Sequence, residues 1–503
     1  MPFQIYPVTA PKSREPGYQV TVNGIRAALN TARVSAVPFN RRWPGHQRQI
    51  DQTERIDFLS LQTDEPLRFE ITPPEPVTQV QVRPLELGIR PRITPEGTIC
   101  FTLEKPAYFT VEPYGRHNAL HVFADEPARY AVDPEDDNVL YFGPGEHDVG
   151  ILRLQSNQTV FLDAGAVVYG CIHAIDAEHI RILGRGILDN SRNKEQLLYE
   201  AKVEHNQAAI RNAVRVHTVQ LEYCTDVQID GITIRDSLVY NIRPIGCREL
   251  RIKDVKIIGC WRYNSDGIDM HNCVDVIVEH CFLRTFDDSV CIKGFDCFYS
   301  GDVEQAVRDA MYRNGKSYDV FQNVVIKDCV IWNDWGKCLE IGAETRAEEI
   351  SNIRFTGCRI IHVTGPAMDC TNVDYADVHD IVFEDISIEL DETVPKAVIQ
   401  TTDEQCYENP DPDFVPAMIL MEVLFHHEYS AGGSRRGRNR DVRFENIRIY
   451  GRHRPRFVFR GYDARHKTSN VTVKKCYVNS KPLQRDGLTL KQNDFCENIN
   501  IEL

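Results

Sequence analysis

The sequence predicts an all-β protein: a right-handed parallel β-helix over residues 131–503, preceded by an antiparallel β-sandwich over residues 1–130. Three observations predict it. One short apolar pattern recurs from residue 225 onward, no long helical periodicity separates its copies, and the strand rhythm differs before about residue 130.

In chain order, YQVTVNG, LRFEITP, TQVQVRP, TICFTLEKPAYFTVEPYG and ALHVFA read as strands parted by Pro and Gly turns. They predict a sandwich packed on one end of the β-helix, where it would cover an open strand edge. The helix is expected to begin near residue 137, in DNVLYFGPGEHDVGILRLQSNQTVFLDAGAVVYG. From there the order apolar, x, apolar, x, x, apolar, x, apolar repeats. It appears as DVQIDGITI, ELRIKDVKI, DVIVEHCFL, NVVIKDCVI, NIRFTGCRI, DIVFEDISI, DVRFENIRI and NVTVKKCYV. Each copy is two short period-2 strands with one bend between them. Ile232, Val255 and Cys281, which fill the third apolar slot, are 23 and 26 residues apart, one solenoid turn and too little for a β-α-β unit. The slot continues as Cys329, Cys358, Ile386, Ile447 and Cys476. Cysteine alternating with Ile and Val reads as a stacked apolar column rather than a metal or redox cluster. Loop insertions are expected at about 295–319 and 390–438.

Bulk composition narrows the function classes. A formal net charge of −15 disfavours nucleic acid and other polyanions as partners. No run approaches the ~20 apolar residues of a membrane span. The first residues, MPFQIYPVTAPKSREPGY, lack a basic segment followed by an apolar core, and the 16 cysteines follow no C-x-x-C spacing. Together these predict a cytoplasmic location, or secretion if a leader has been removed. A homo-oligomer stays open. His426 and His427 have no third ligand at a recognisable spacing, and GPGEHDVG lacks phosphate-loop spacing, so no metal or cofactor is expected.

The strand after the bend carries the chemistry. Aligning YNSDGIDM with TFDDSVCI on Ile268/Met270 and Val290/Ile292 places Asp266 beside Asp288 on adjacent turns, with Asp287 at the level of Ser265. Neighbouring strands lie about 4.8 Å apart, so three carboxyls share one face and at least one pKa should rise. Paired carboxyls with separated pKa values suit acid–base cleavage of a glycosidic bond. A Ca²⁺ site and a solvated Asp ladder are the competing readings. On the next turn, DWGKCLEIG puts Lys337 in the Asp266/Asp288 column and Glu340 in the column of Asp269 and Cys291. A lysine there partly neutralises the aspartates and fits proton handling or a grip on sugar hydroxyls. Trp261, Trp332, Trp335, Tyr263, Phe295 and Tyr299 lie close by in sequence and suit sugar faces. Asn264, His271, Lys293 and Arg262 are further candidates for substrate contact.

NSDGIDM followed by DD one turn later resembles the β-helical glycosidases related to polygalacturonase (glycoside hydrolase family 28) and to dextranase and isopullulanase (family 49). The likeness covers about 137–500 as architecture and 264–294 as motif. It implies that Asp287 is the general acid, that Asp266 and Asp288 activate water, and that the anomeric centre inverts without metal or covalent intermediate. Two departures bear on the substrate. Polygalacturonases carry Gly-His-Gly where this chain has Lys337, and Arg-Ile-Lys where it has GPAMDCTN with Asp369. The reading is therefore a hydrolase of a neutral poly- or oligosaccharide, such as an α-glucan. The alternatives are a polygalacturonase-like hydrolase of pectic oligosaccharides, a Ca²⁺-dependent β-helical lyase and a non-catalytic glycan-binding β-helix. Insertions that wall the cleft would favour attack at chain ends.

Overall fold

The computed structural model describes residues 3–9, 17–41, 48–193, 216–295, 311–402, 404–409, 411–427, 429–430 and 435–502. Tyr299 and most of the 295–319 insertion lie outside them.

The N-terminal unit is two packed sheets. One runs Ile25–Ala27, Gln19–Val22, Leu67–Thr72, Ile99–Leu103, Arg92–Ile93, and the other is built around Thr53–Thr63, Leu120–Asp125 and Ala107–Arg116. Alternation builds the core between them: Leu67, Phe69 and Ile71 point inward from one strand. One pairing departs from the antiparallel expectation, since Leu120–Asp125 runs parallel to Thr53–Thr63.

Among the described residues a 31-stranded sheet runs from Val139–Phe142 to Cys496–Glu502 and coils as a parallel β-helix of three strand columns. The first column (for example Arg248–Lys253 and Val274–Glu279) alternates buried Leu250, Ile252, Val276 and Val278 with exposed residues such as Arg251 and Ile277. Its corner residues Asp275, Asn323 and Asn352 all adopt left-handed φ of 53–61°, which short polar side chains tolerate best. They stack as a ladder: Asn323 Nδ2 donates to Asp275 Oδ1 (2.8 Å) and Asn352 Nδ2 to Asn323 Oδ1 (2.8 Å). The third-slot column from Ile232 to Cys476 is buried along its length, and its cysteines are free thiols in the apolar interior.

The sandwich does not cover the end of the helix. It lies along the flank, against the outward side of the second column, where Ile258, Phe282, Val330 and Ile361 form an apolar stripe on successive turns. Thr53–Thr63 serves both contacts: Leu59 and Leu61 face the sandwich core while Ile56 and Phe58 face the helix. A stripe of this kind left in water would cost about 25 cal/mol per Å², which selects flank over end. Buried ion pairs cross the junction: Lys256 Nζ reaches Asp125 (3.0 Å), Arg116 Nη2 reaches Asp334 (2.7 Å), and His362 Nε2 lies 3.0 Å from Glu112.

The third column, including Ile268–His271, Val290–Lys293, Leu339–Gly342 and Met368–Asn372, is buried on both faces. Its inward residues are apolar. Its outward ones include Asp269, Lys293, Glu340 and Asp369, which are charged and still buried. Charged groups are buried at a cost, so their gathering on one face marks the site.

Candidate active site

The ladder of the third column sets the positions. Ile268 pairs with Val290, and Val290 with Leu339. Gly267 N donates to Asp288 O (2.8 Å) and Ser289 N to Lys337 O (2.8 Å). Asp266, Asp288 and Lys337 thus sit on three consecutive turns, and Asp269, Cys291, Glu340 and Asp369 form the neighbouring column. Two asparagines pin these turns from below. Asn241 Nδ2 donates to Asp266 O (2.6 Å); Asn333 Nδ2 donates to Asp287 O (2.8 Å) and Lys337 O (3.1 Å). Gly336 lets the next turn close over the aspartates, because a Cβ there would stand 2.6 Å from Asp288 Oδ1.

Above this floor lies a cavity of about 610 Å³, within the range of small-molecule sites. It is lined by Tyr263, Asn264, Asp266, Asp287, Asp288, Lys293, Trp335, Lys337 and Glu340 from the sequence-based candidates. The 390–438 insertion supplies one wall with Ile399, Phe414 and Tyr429. Within that insertion Val398–Gln400 pairs with Phe39–Arg41 of the sandwich, and Trp335 Nε1 donates to Val398 O (3.2 Å).

Other candidates lie elsewhere. Trp261 is buried away from the cavity, giving its Nε1–H to Asp236 (2.8 Å) under the Arg262 guanidinium. Arg262 is paired with Asp236 (2.9 Å). Trp332 faces the sandwich, 3.9 Å from the His362 ring centre. Phe295 packs with Ile245, Met311 and Tyr318. Asp269 and His271 stand behind the cavity floor, with His271 Nδ1 3.0 Å from Gly294 O. Tyr240 and Glu344 line the cavity and were not anticipated. Nor were Asn241 and Asn333, which reach the backbone carbonyls of the acidic turns from neighbouring positions in the solenoid.

The cation among the aspartates is Lys293 rather than Lys337. Lys293 Nζ lies 3.2 Å from Asp269, 3.6 Å from Asp266 and 3.8 Å from Asp288. Lys337 turns to Glu340 and to Asp369 (2.9 Å), giving Asp288 its backbone N–H (2.9 Å to Oδ1). Burial opposes ionisation of Asp269, but Lys293 and His271 overcome it and hold its carboxyl below the ordinary range. Burial and then the charges of Asp287 and Asp269 push Asp266 well up. Burial, reinforced by Asp288, pushes Asp287 up to about 8. Like charges this close cannot all ionise, and one ammonium balances only one of them.

Asp266, Asp288 and Cys291 offer ligand atoms within 4.8 Å of one another. They fit Ca²⁺ poorly. Calcium takes six to eight oxygens, whereas this set includes a thiol, and Lys293 already supplies the positive charge.

Residues 171–408 match the family model described as glycosyl hydrolases family 28. A stretch of 84 residues is 32% identical to a probable polygalacturonase of Vitis vinifera, spanning 16% of this chain and 17% of that protein's length. The fold of Dex49A from Penicillium minioluteum aligns over 99% of this chain and 96% of that one, with a TM-score of 0.57 at 13% identity. An exopolygalacturonase of Thermotoga maritima aligns over 72% and 84%, with a TM-score of 0.49 at 16% identity. The family 28 match spans a little under half of the chain and contains every aspartate of the cavity floor, while the Dex49A alignment runs over both the sandwich and the helix: the chain carries a segment similar to the glycosyl hydrolases of family 28 on a fold similar to that of Dex49A.

Proposed function

We propose that the chain is a glycoside hydrolase that cleaves O-glycosidic bonds of a neutral poly- or oligosaccharide with inversion of the anomeric centre. The observation that carries this is the contrast between Asp287 and Asp288. Asp287 is a buried carboxyl raised to about 8, able to hold a proton at neutral pH. Asp288 next to it accepts the Lys337 N–H and faces Lys293, contacts that suit an anion.

In this reading Asp287 gives its proton to the leaving glycosidic oxygen. Asp288 takes a proton from a water that attacks the anomeric carbon, and Asp266, one turn away, holds that water in place. A proton passes back through solvent to restore Asp287. Trp335, Tyr263, Phe414 and Tyr429 offer apolar faces to sugar rings, and Asn264 offers an amide to hydroxyls. A neutral substrate such as an α-glucan is favoured because both cavity lysines are already paired with carboxylates. The second reading, hydrolysis of pectic oligosaccharides, draws on the Vitis relative's name. The wall built by the 390–438 insertion supports attack near chain ends.

The sign of the pH dependence follows from Asp287. The acid works only while protonated, so kcat/KM on a neutral oligosaccharide should hold through pH 7 and fall as pH rises through about 8. The test is to find that substrate in a panel of neutral and uronate oligosaccharides, then record the profile. Turnover of uronates alone, or a fall already complete by about pH 5, the range of an ordinary carboxyl, would contradict the reading.

A further inference from the structure

We propose that Glu340 and Asp369 are specificity-determining residues that bar carboxylate-bearing sugars from the cavity by holding its Lys337 ammonium. The inference rests on the cavity being the saccharide site proposed above. The register stacks Glu340 on Asp369 on adjacent turns, and Lys337 Nζ bridges them, 2.9 Å from Asp369 Oδ2. The lysine side chain keeps 24% exposure toward the cavity while the two carboxylates keep 1% and 0%. Thr371 Oγ1 adds a hydrogen bond to Asp369 Oδ1 (3.1 Å), fixing the pair from behind.

An incoming sugar carboxylate would therefore meet no unpaired cation. Lys293 is held by Asp269, and no arginine lines the cavity among the described residues. The incoming charge would instead face Asp288 and the Glu340 carboxyl on the cavity lining, with Asp369 buried behind the ammonium, a juxtaposition that rejects it. A hydroxyl meets different chemistry. Glu340 Oε2 is buried at the cavity floor with no hydrogen-bond partner, and it can take a sugar O–H.

The test is to release the lysine. In E340Q/D369N, Lys337 keeps its place and loses both counter-charges. The affinity for short uronate oligosaccharides, measured by calorimetry at low salt, should rise about tenfold, one charge-assisted hydrogen bond's worth. The gain should vanish when K337M is added and should shrink in high salt. D369N alone should give a smaller gain of the same sign, and it carries the prediction if the double variant does not fold. A folded variant with no gain, or a gain that survives K337M, would overturn the proposal. So would wild-type protein that binds uronates as tightly as the variants. Because the readout is binding, failure to hydrolyse neutral glycans would defeat the hydrolase reading while leaving this result to stand or fall by itself.

Discussion

Asp287→Asn should lower kcat by about 10²- to 10⁴-fold, the usual contribution of a positioned general acid, and leave the fold intact. The backbone of Asp287 is held independently of its carboxyl, by Thr285 Oγ1 (2.8 Å) and Asn333 Nδ2 (2.8 Å) on its carbonyl. An asparagine oxygen can still accept the Asp288 N–H that now reaches Asp287 Oδ1 (3.1 Å). What is lost is the proton. The effect on stability has a definite sign. The folded carboxyl is raised to about 8, whereas an unfolded one titrates near 4. Between those values the unfolded chain is ionised and the folded one protonated, so rising pH favours unfolding. Asparagine removes that penalty, and Tm at pH 7 should stay level or rise. A loss in kcat below tenfold, or a lower Tm, would contradict the assignment.

Asp334→Ala should destabilise the protein by about 3–5 kcal/mol, the range for breaking a buried charge network from one side. Asp334 takes Arg116 Nη2 from the sandwich (2.7 Å), Arg284 Nε from the helix (3.2 Å) and Trp332 Nε1 (2.8 Å). Burial opposes its charge, but Arg284 and Arg116 hold the carboxyl below its ordinary range. That stabilisation is present above the unfolded value near 4 and is lost as pH falls below it. Without Asp334, Arg284 remains 1% exposed beside His121. Asp334 also adjoins Trp335 in the cavity wall, so activity should fall with stability. Urea unfolding measures the change, and Asp334→Asn, which keeps shape and an acceptor, should recover part of it. A shift under about 1 kcal/mol, the scale of an exposed pair, would mean that the network does not join the domains.

The turns of the helix were legible because period-2 strands fix register absolutely. A slip of one residue would expose Ile268, Met270, Val290 and Ile292 together, so the apolar pairs place Asp266 beside Asp288 without any structure. The same rule put Lys337 and Glu340 on the next turn. Side-chain direction was harder. Lys337 stands in the aspartate column, yet its four-carbon stem carries the ammonium to Glu340 and Asp369. Lys293, one of the lesser candidates, closes the acidic cluster from a strand end. Trp261 is near Tyr263 in sequence but turns toward Asp236. The docking of the sandwich on the flank is not legible in sequence, because the stripe of Ile258, Phe282, Val330 and Ile361 comes from four separate turns and shows only once they are stacked. The wall made by Ile399, Phe414 and Tyr429 depends on a strand pairing between residues more than 350 positions apart, which local pattern does not encode.

The most direct measurement follows the anomeric proton signals by NMR from the first seconds of hydrolysis of a neutral oligosaccharide. Attack by a water held between Asp266 and Asp288, opposite the Asp287 proton, should release the anomer of inverted configuration first, before mutarotation. A retained anomer would require a covalent intermediate on one of these carboxylates and would contradict the three-aspartate mechanism.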